Sequence, residues 1–299
     1  LAGACSDSCC VGWEIDVDEE TGRRYRELPG ELGDRLRDAV SDKGMGRFIL
    51  KDGRCPFLNA DNLCDIILQR GDGWLCGVCR EHPRFYEWLD GRVEAGLGLC
   101  CEAAGRLVFR SSAPARFVER GTEETGADAG DELQAFLLSA RERAFSLLRD
   151  RNLTICDRLT ALLSLALDVQ DGMDMGDLSM PMEGGPLRGR PKAEDFAEML
   201  RFFEALEPID PRWPGTLARM RGNLDGLLEA APRFLAALGE GAYAYEHLAV
   251  YYVYRYWMKA AFDGELLSRM KFALCGLLVQ LLWDVDRWVR TGGYTPDDR

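Results

Sequence analysis

Nine of the chain's eleven cysteines lie between Cys5 and Cys101, and only Cys156 and Cys275 fall in the remaining two-thirds. This asymmetry constrains the fold more than any other feature. Thiols at that density are a disulfide framework, a metal site or an accident of composition.

Disulfides persist in oxidising compartments and mostly serve small domains that lack a core. This chain has 299 residues, 47% of them hydrophobic, so it can build a large core. No secretory signal pattern opens it. Cys9 and Cys10 are adjacent, and disulfide geometry disfavours a bridge between them. Metal ligation fits better, because thiolates are soft ligands for zinc or iron–sulfur clusters. "LCGVC", Leu75 to Cys79, supplies a Cys-x-x-Cys knuckle, and "CPFLNADNLC", Cys55 to Cys64, a wider pair. One tight pair, a doublet at each end and irregular gaps suit a cluster better than structural zinc. Only two histidines are available for mixed sites. Both metals stay open on these grounds.

The formal net charge of -13 argues against a nucleic-acid binder. No 18-residue uncharged apolar run is found, so no membrane insertion is expected, and the expected location is cytoplasmic. The chain opens on Leu1, not Met, and further sequence upstream is expected.

The expected fold is mainly α: a cysteine-rich metal-binding module with short β-hairpins over 1–110, then a helical bundle over 111–299. Asp52-Gly53 and Asp90-Gly91 are the hairpin turn signals. "DEETGRRYRELPGELGDRLRDAV" is helical in parts and broken at Pro29-Gly30. From Asp131 onward apolar residues recur at helical spacing, beginning with Leu133, Phe136, Leu137 and Ala140. A Met-, Gly- and Pro-rich stretch over about 171–192 predicts a flexible loop.

"CSDSCCVGWEI", "CPFLNADNLC", "CREHPR" and "LCCEAAGRL" occur in an order and at spacings that resemble the flagellin lysine-N-methylase family, within a wider group of zinc- or iron-chelating cysteine-cluster proteins. The resemblance covers about residues 1 to 107. It implies a protein-lysine N-methyltransferase that carries a [4Fe-4S] cluster and methylates ε-amines of flagellin with S-adenosylmethionine as donor. The matching metal-site cysteines are Cys5, Cys9, Cys10, Cys55, Cys64, Cys79 and Cys100. A further family cysteine falls before Leu1. Cys76 is an extra thiol, and Cys101 stands where the family has proline.

Other residues carry two readings each. His82 and Arg84 either tune a metal site or belong to a proline-locked turn. Trp13 is expected as a hydrophobic lid over the site. The tyrosine-rich stretch 243–257 is expected as buried core rather than an aromatic cage, with His247 a satisfied core histidine. Cys156 and Cys275 are expected to act as small hydrophobes. There is no Gly-rich strand-to-helix turn of the nucleotide-binding kind, so a donor site would need an unusual, mostly helical scaffold. The alternative function is a non-catalytic, zinc-stapled protein-interaction module.

Overall fold

Asp18 starts the first helix, α1 (Glu19–Glu27), by accepting the Thr21 N–H at 2.9 Å. Glu19 and Glu20 then lie at its positive end and Arg24 and Arg26 at its negative end. The break at Pro29-Gly30 is present, and α2 (Glu31–Ala39) follows. Arg37 of α2 donates from Nη1 to the carbonyls of Arg26 and Leu28, satisfying acceptors that the end of α1 leaves open.

The structure is a computed structural model and describes residues 5, 8–41, 46–89, 91–121, 131–179, 182, 184 and 191–294. The chain divides into two compact units, Leu1–Trp88 with Val93–Arg110, and Leu89–Arg92 with Ser111–Arg299.

The first unit continues through short helices α3 (Asp65–Arg70) and α4 (Gly77–Glu81) to a hairpin of β1 (Arg84–Leu89) and β2 (Arg92–Leu97), then α5 (Glu102–Phe109). β1 ends at Leu89 and β2 begins at Arg92, with Gly91 between them at a φ of 70°; Asp90 of the expected turn lies outside the described residues. Gly96 lets the Phe85 ring lie close against β2, since a Cβ there would stand 2.4 Å from that ring. The unit's core joins Val17, Tyr25, Leu28, Leu32, Leu36, Phe48, Phe57 and Ile66. Within it the Phe48 ring lies 6.2 Å from Tyr25 and 5.2 Å from Phe57.

The second unit is helical: α6 (Glu132–Arg149), α7 (Ile155–Met175), α8 (Ala193–Glu204), α9 (Trp213–Gly222), α10 (Leu224–Leu238), α11 (Tyr243–Tyr256), α12 (Ala260–Asp263) and α13 (Leu266–Thr291). Asp131 caps α6 through the Leu133 N–H, and Thr154 caps α7 through the Asp157 N–H. The predicted loop starts later than Asp171. Nothing before Gly176 breaks the helix, so α7 runs to Met175 and ends on Gly176 in the left-handed conformation. Residues 180, 181, 183 and 185–190 of that stretch lie outside the described residues.

α13 packs on α7, α10 and α11 and buries Leu266, Met270, Leu277, Leu282 and Val285. An 18-residue window in this helix averages a hydropathy of 1.4 with at most two charges, which is long and apolar enough to cross a bilayer by length and composition alone. The helix contains no wholly uncharged 18-residue run, and a helix packed into a bundle has the same composition.

Candidate functional site

Backbone pairing places the thiols of the first unit. The Asp52-Gly53 turn has φ of 52° and 73° and is closed by reciprocal 2.9 Å hydrogen bonds between Lys51 and Arg54. It pairs through isolated bridges rather than through a continuous pair of strands. Arg54 also bridges Val11, and the Cys55 N–H donates to the Cys10 carbonyl at 2.9 Å, so the segments holding Cys10 and Cys55 run side by side. The Asn59 side chain accepts from the N–H groups of Asp61 and Leu63 and closes the loop that returns to Cys64, the residue preceding α3.

Cys76 precedes α4, and the carboxylate of Asp18 reaches across to start that helix. Its Oδ1 accepts from Thr21 while Oδ2 accepts the Gly77 N–H at 2.8 Å. The Tyr25 hydroxyl donates to the Trp74 carbonyl at 2.7 Å, and Arg24 donates to Gly73 while lying over the Trp74 ring. The Cys-x-x-Cys knuckle is thus fastened to α1 at three points.

The result is a gathering of five thiols. Cys55 and Cys76 belong to the apolar core, and Cys10, Cys64 and Cys79 pack against it. None of these five thiols is joined in a disulfide. The Cys9 S–H donates to Cys10 and lowers the Cys10 pKa against the opposing effect of burial. Cys79 likewise donates to Cys76, which holds Cys76 down and pushes Cys79 up. Burial, then the nearby Cys64 and Cys76, raises Cys55. Burial also raises the Tyr25 hydroxyl, reinforced by Cys76, Cys79 and Cys64. Among the described residues, however, no three of the His, Cys, Asp and Glu side chains stand as a ready metal-ion site. The donor set is chemically suited to a metal centre bound by four thiolates, without being drawn into its geometry.

Of the seven cysteines carried over by resemblance, this gathering includes Cys10, Cys55, Cys64 and Cys79, with exposed Cys9 bonded at its edge. Half-buried Cys5 and exposed Cys100 are not part of that apolar cluster. Cys76, the extra thiol, is inside it at 1% exposure. The knuckle spacing was the signal for it, and the family pattern pointed away.

Trp13 is 43% exposed and meets the His82 ring edge-on at 5.9 Å, so it packs on that histidine rather than closing over the thiols. His82 Nε2 is buried without a hydrogen-bond partner among the described residues, and burial lowers its pKa. Arg84 donates to the Arg80 carbonyl. His247 is buried in α11 with Nε2 3.0 Å from the Ala113 carbonyl, a satisfied core histidine, and Tyr245, Leu248, Val250 and Val253 of that helix are core. Cys156 departs from its expectation: it lies exposed in the first turn of α7, which turns other residues inward.

The flagellar biosynthetic protein FliU of Salmonella muenchen is 30% identical over 114 residues, a match covering 35% of this chain and 68% of FliU. The chain belongs to the FliU family. Two proteins named lysine-N-methylase, from Salmonella typhimurium and Salmonella choleraesuis, are each 29% identical over 114 residues. Those matches cover 35% of this FliU-family chain and 28% of each lysine-N-methylase. No family model matches the chain, and no solved structure does.

Proposed function

We propose that the chain is a protein-lysine N-methyltransferase whose first unit holds a [4Fe-4S] cluster, with S-adenosylmethionine as donor and flagellin as substrate. The observation that carries the reading is the likeness to proteins named lysine-N-methylase and to a flagellar biosynthetic protein. The gathering of Cys10, Cys55, Cys64, Cys76 and Cys79 supports the cofactor. Four of these thiols would hold it, and when bound the cluster supplies a redox centre.

Methyl transfer requires a neutral lysine amine. The nitrogen lone pair forms the new C–N bond, the donor's S–C bond breaks with its electrons left on sulfur, and the amine then sheds a proton to water or a base. The chain's part is to bind both partners and exclude bulk water. Asp18 and Tyr25 hold the knuckle in place from α1.

A second reading, a zinc-stapled interaction module, is favoured by the burial of Cys55 and Cys76 in an apolar core, where a metal would act as a staple. Metal and sulfide analysis of anaerobically purified protein separates the two. Iron with acid-labile sulfide and absorbance near ~400 nm supports the cluster, whereas colourless protein with stoichiometric zinc favours the staple. Transfer of labelled methyl groups from S-adenosylmethionine to flagellin lysines tests the activity, and its absence from iron-loaded protein would overturn it.

A further inference from the structure

One face of α6 carries Arg141, Phe145 and Arg149 at successive helical turns. The Phe145 ring lies under both guanidinium groups, 5.7 Å from Arg141 and 5.4 Å from Arg149. Phe117 stacks on Tyr254 at 4.8 Å, meets Phe145 at 4.6 Å and lies 5.4 Å from the Arg149 guanidinium. Arg149 therefore has aromatic faces around it, a setting that leaves the in-plane N–H donors available.

Those donors are what the structure leaves unused. Nε and Nη2 of Arg149 are both shut off from solvent, and neither has an acceptor among the described residues. They form one side of the guanidinium, the fork that receives the two oxygens of a carboxylate or phosphate in parallel. Other arginines with a buried unsatisfied nitrogen differ: Arg158 is paired with Glu246, Arg269 with Asp263 and Arg255 with the Tyr256 hydroxyl, and Arg141 has only its Nε in that state. A buried fork without an acceptor calls for a ligand to explain it.

We infer that the fork of Arg149, held by the Phe117 and Phe145 rings, is a binding site for an oxyanion, a carboxylate or phosphate group. Assigning the site to the carboxylate of S-adenosylmethionine rests on the methyl-transfer reading, whereas the oxyanion site itself does not.

The test uses the full chain and its R149M and R149K variants. Inorganic phosphate at constant ionic strength is expected to raise the unfolding midpoint of the unmodified protein by about 2–4 °C and to leave R149M unmoved. S-adenosylmethionine is expected to bind at least about tenfold more tightly than its decarboxylated analogue, and R149M to bind the two alike. R149K keeps the charge but loses the fork, so it folds where R149M does not and still loses most of that preference. A phosphate shift lost in the variants with no donor binding at all retains the oxyanion site and removes the donor from it. If the variants match the unmodified protein in both phosphate shift and carboxylate preference, whether these are present or absent, the site is refuted even where methyl transfer is demonstrated.

Discussion

Arg158 and Glu246, 88 residues apart in the chain, meet at 2.8 Å with the carboxylate wholly buried. Arg151 adds a two-pronged contact to the same carboxylate at 2.8 and 2.9 Å, and Arg158 also donates to the Leu148 carbonyl. Burial alone would raise the Glu246 pKa, but the hydrogen bonds and charges of the two arginines bring it below its ordinary value. Replacing Arg158 by Met leaves a buried charge half-compensated and should cost about 3–5 kcal/mol in denaturant unfolding. The double variant R158M/E246Q should recover part of that loss. A single variant within about 0.5 kcal/mol of the parent would show that the pair is not buried as described.

Asp284 gives a pH dependence of the opposite sign. Burial raises it to about 6, against hydrogen bonds from Tyr245, Gln280 and Tyr294. Above the unfolded value the unfolded chain has released its proton while the folded chain still holds it, so stability falls as pH rises from about 4 through about 6. The shift corresponds to roughly 2–3 kcal/mol. Urea midpoints of D284N should therefore decline less between pH 4.5 and 7 than those of the parent; parallel declines would remove Asp284 as the cause.

Asp18 links the start of α1 to the thiol knuckle. D18A should cost about 1–2 kcal/mol as a lost cap and should also speed modification of Cys76 by a thiol reagent in the metal-free protein. D18N, which keeps an acceptor, should fall between. Unchanged Cys76 reactivity in D18A would show that the knuckle does not depend on this carboxylate.

Gly33 lets α2 approach the end of α1, since a Cβ at this position would stand 1.8 Å from the Leu28 carbonyl oxygen. Backbone cannot yield as a side-chain tip can, so G33A should destabilise the first unit by about 2–4 kcal/mol. Limited proteolysis would register this as faster cleavage between the two helices. An unchanged cleavage rate would contradict the close approach.

Among the thiols, C76S and C79S should abolish metal retention, whereas C100S should leave most of it. Iron, sulfide and zinc analysis of the three variants side by side decides this. Equal loss in all three would place Cys100 at the metal as well.

Local patterns were readable in the sequence. Asp90-Gly91 between alternating residues marked the hairpin, Pro29-Gly30 marked the break between α1 and α2, and the period from Leu133 marked α6. Such signals depend on residues a few positions apart. Cysteine density pointed to the first unit, but membership of the thiol core depended on contacts such as Cys55 to Cys10 and Asp18 to Gly77, which spacing does not encode. The fork of Arg149 was invisible for the same reason, because only the fold brings Phe117 and Tyr254 beside α6.

The carboxylate that starts α4 sits 59 residues upstream of the amide it receives. A synthetic peptide spanning only "LCGVC" would therefore lack the group that sets its own helix, along with the Tyr25 hydroxyl that holds its leading edge. The thiol module cannot be miniaturised to its motif: the shortest piece expected to present Cys76 and Cys79 as found here reaches back past Asp18.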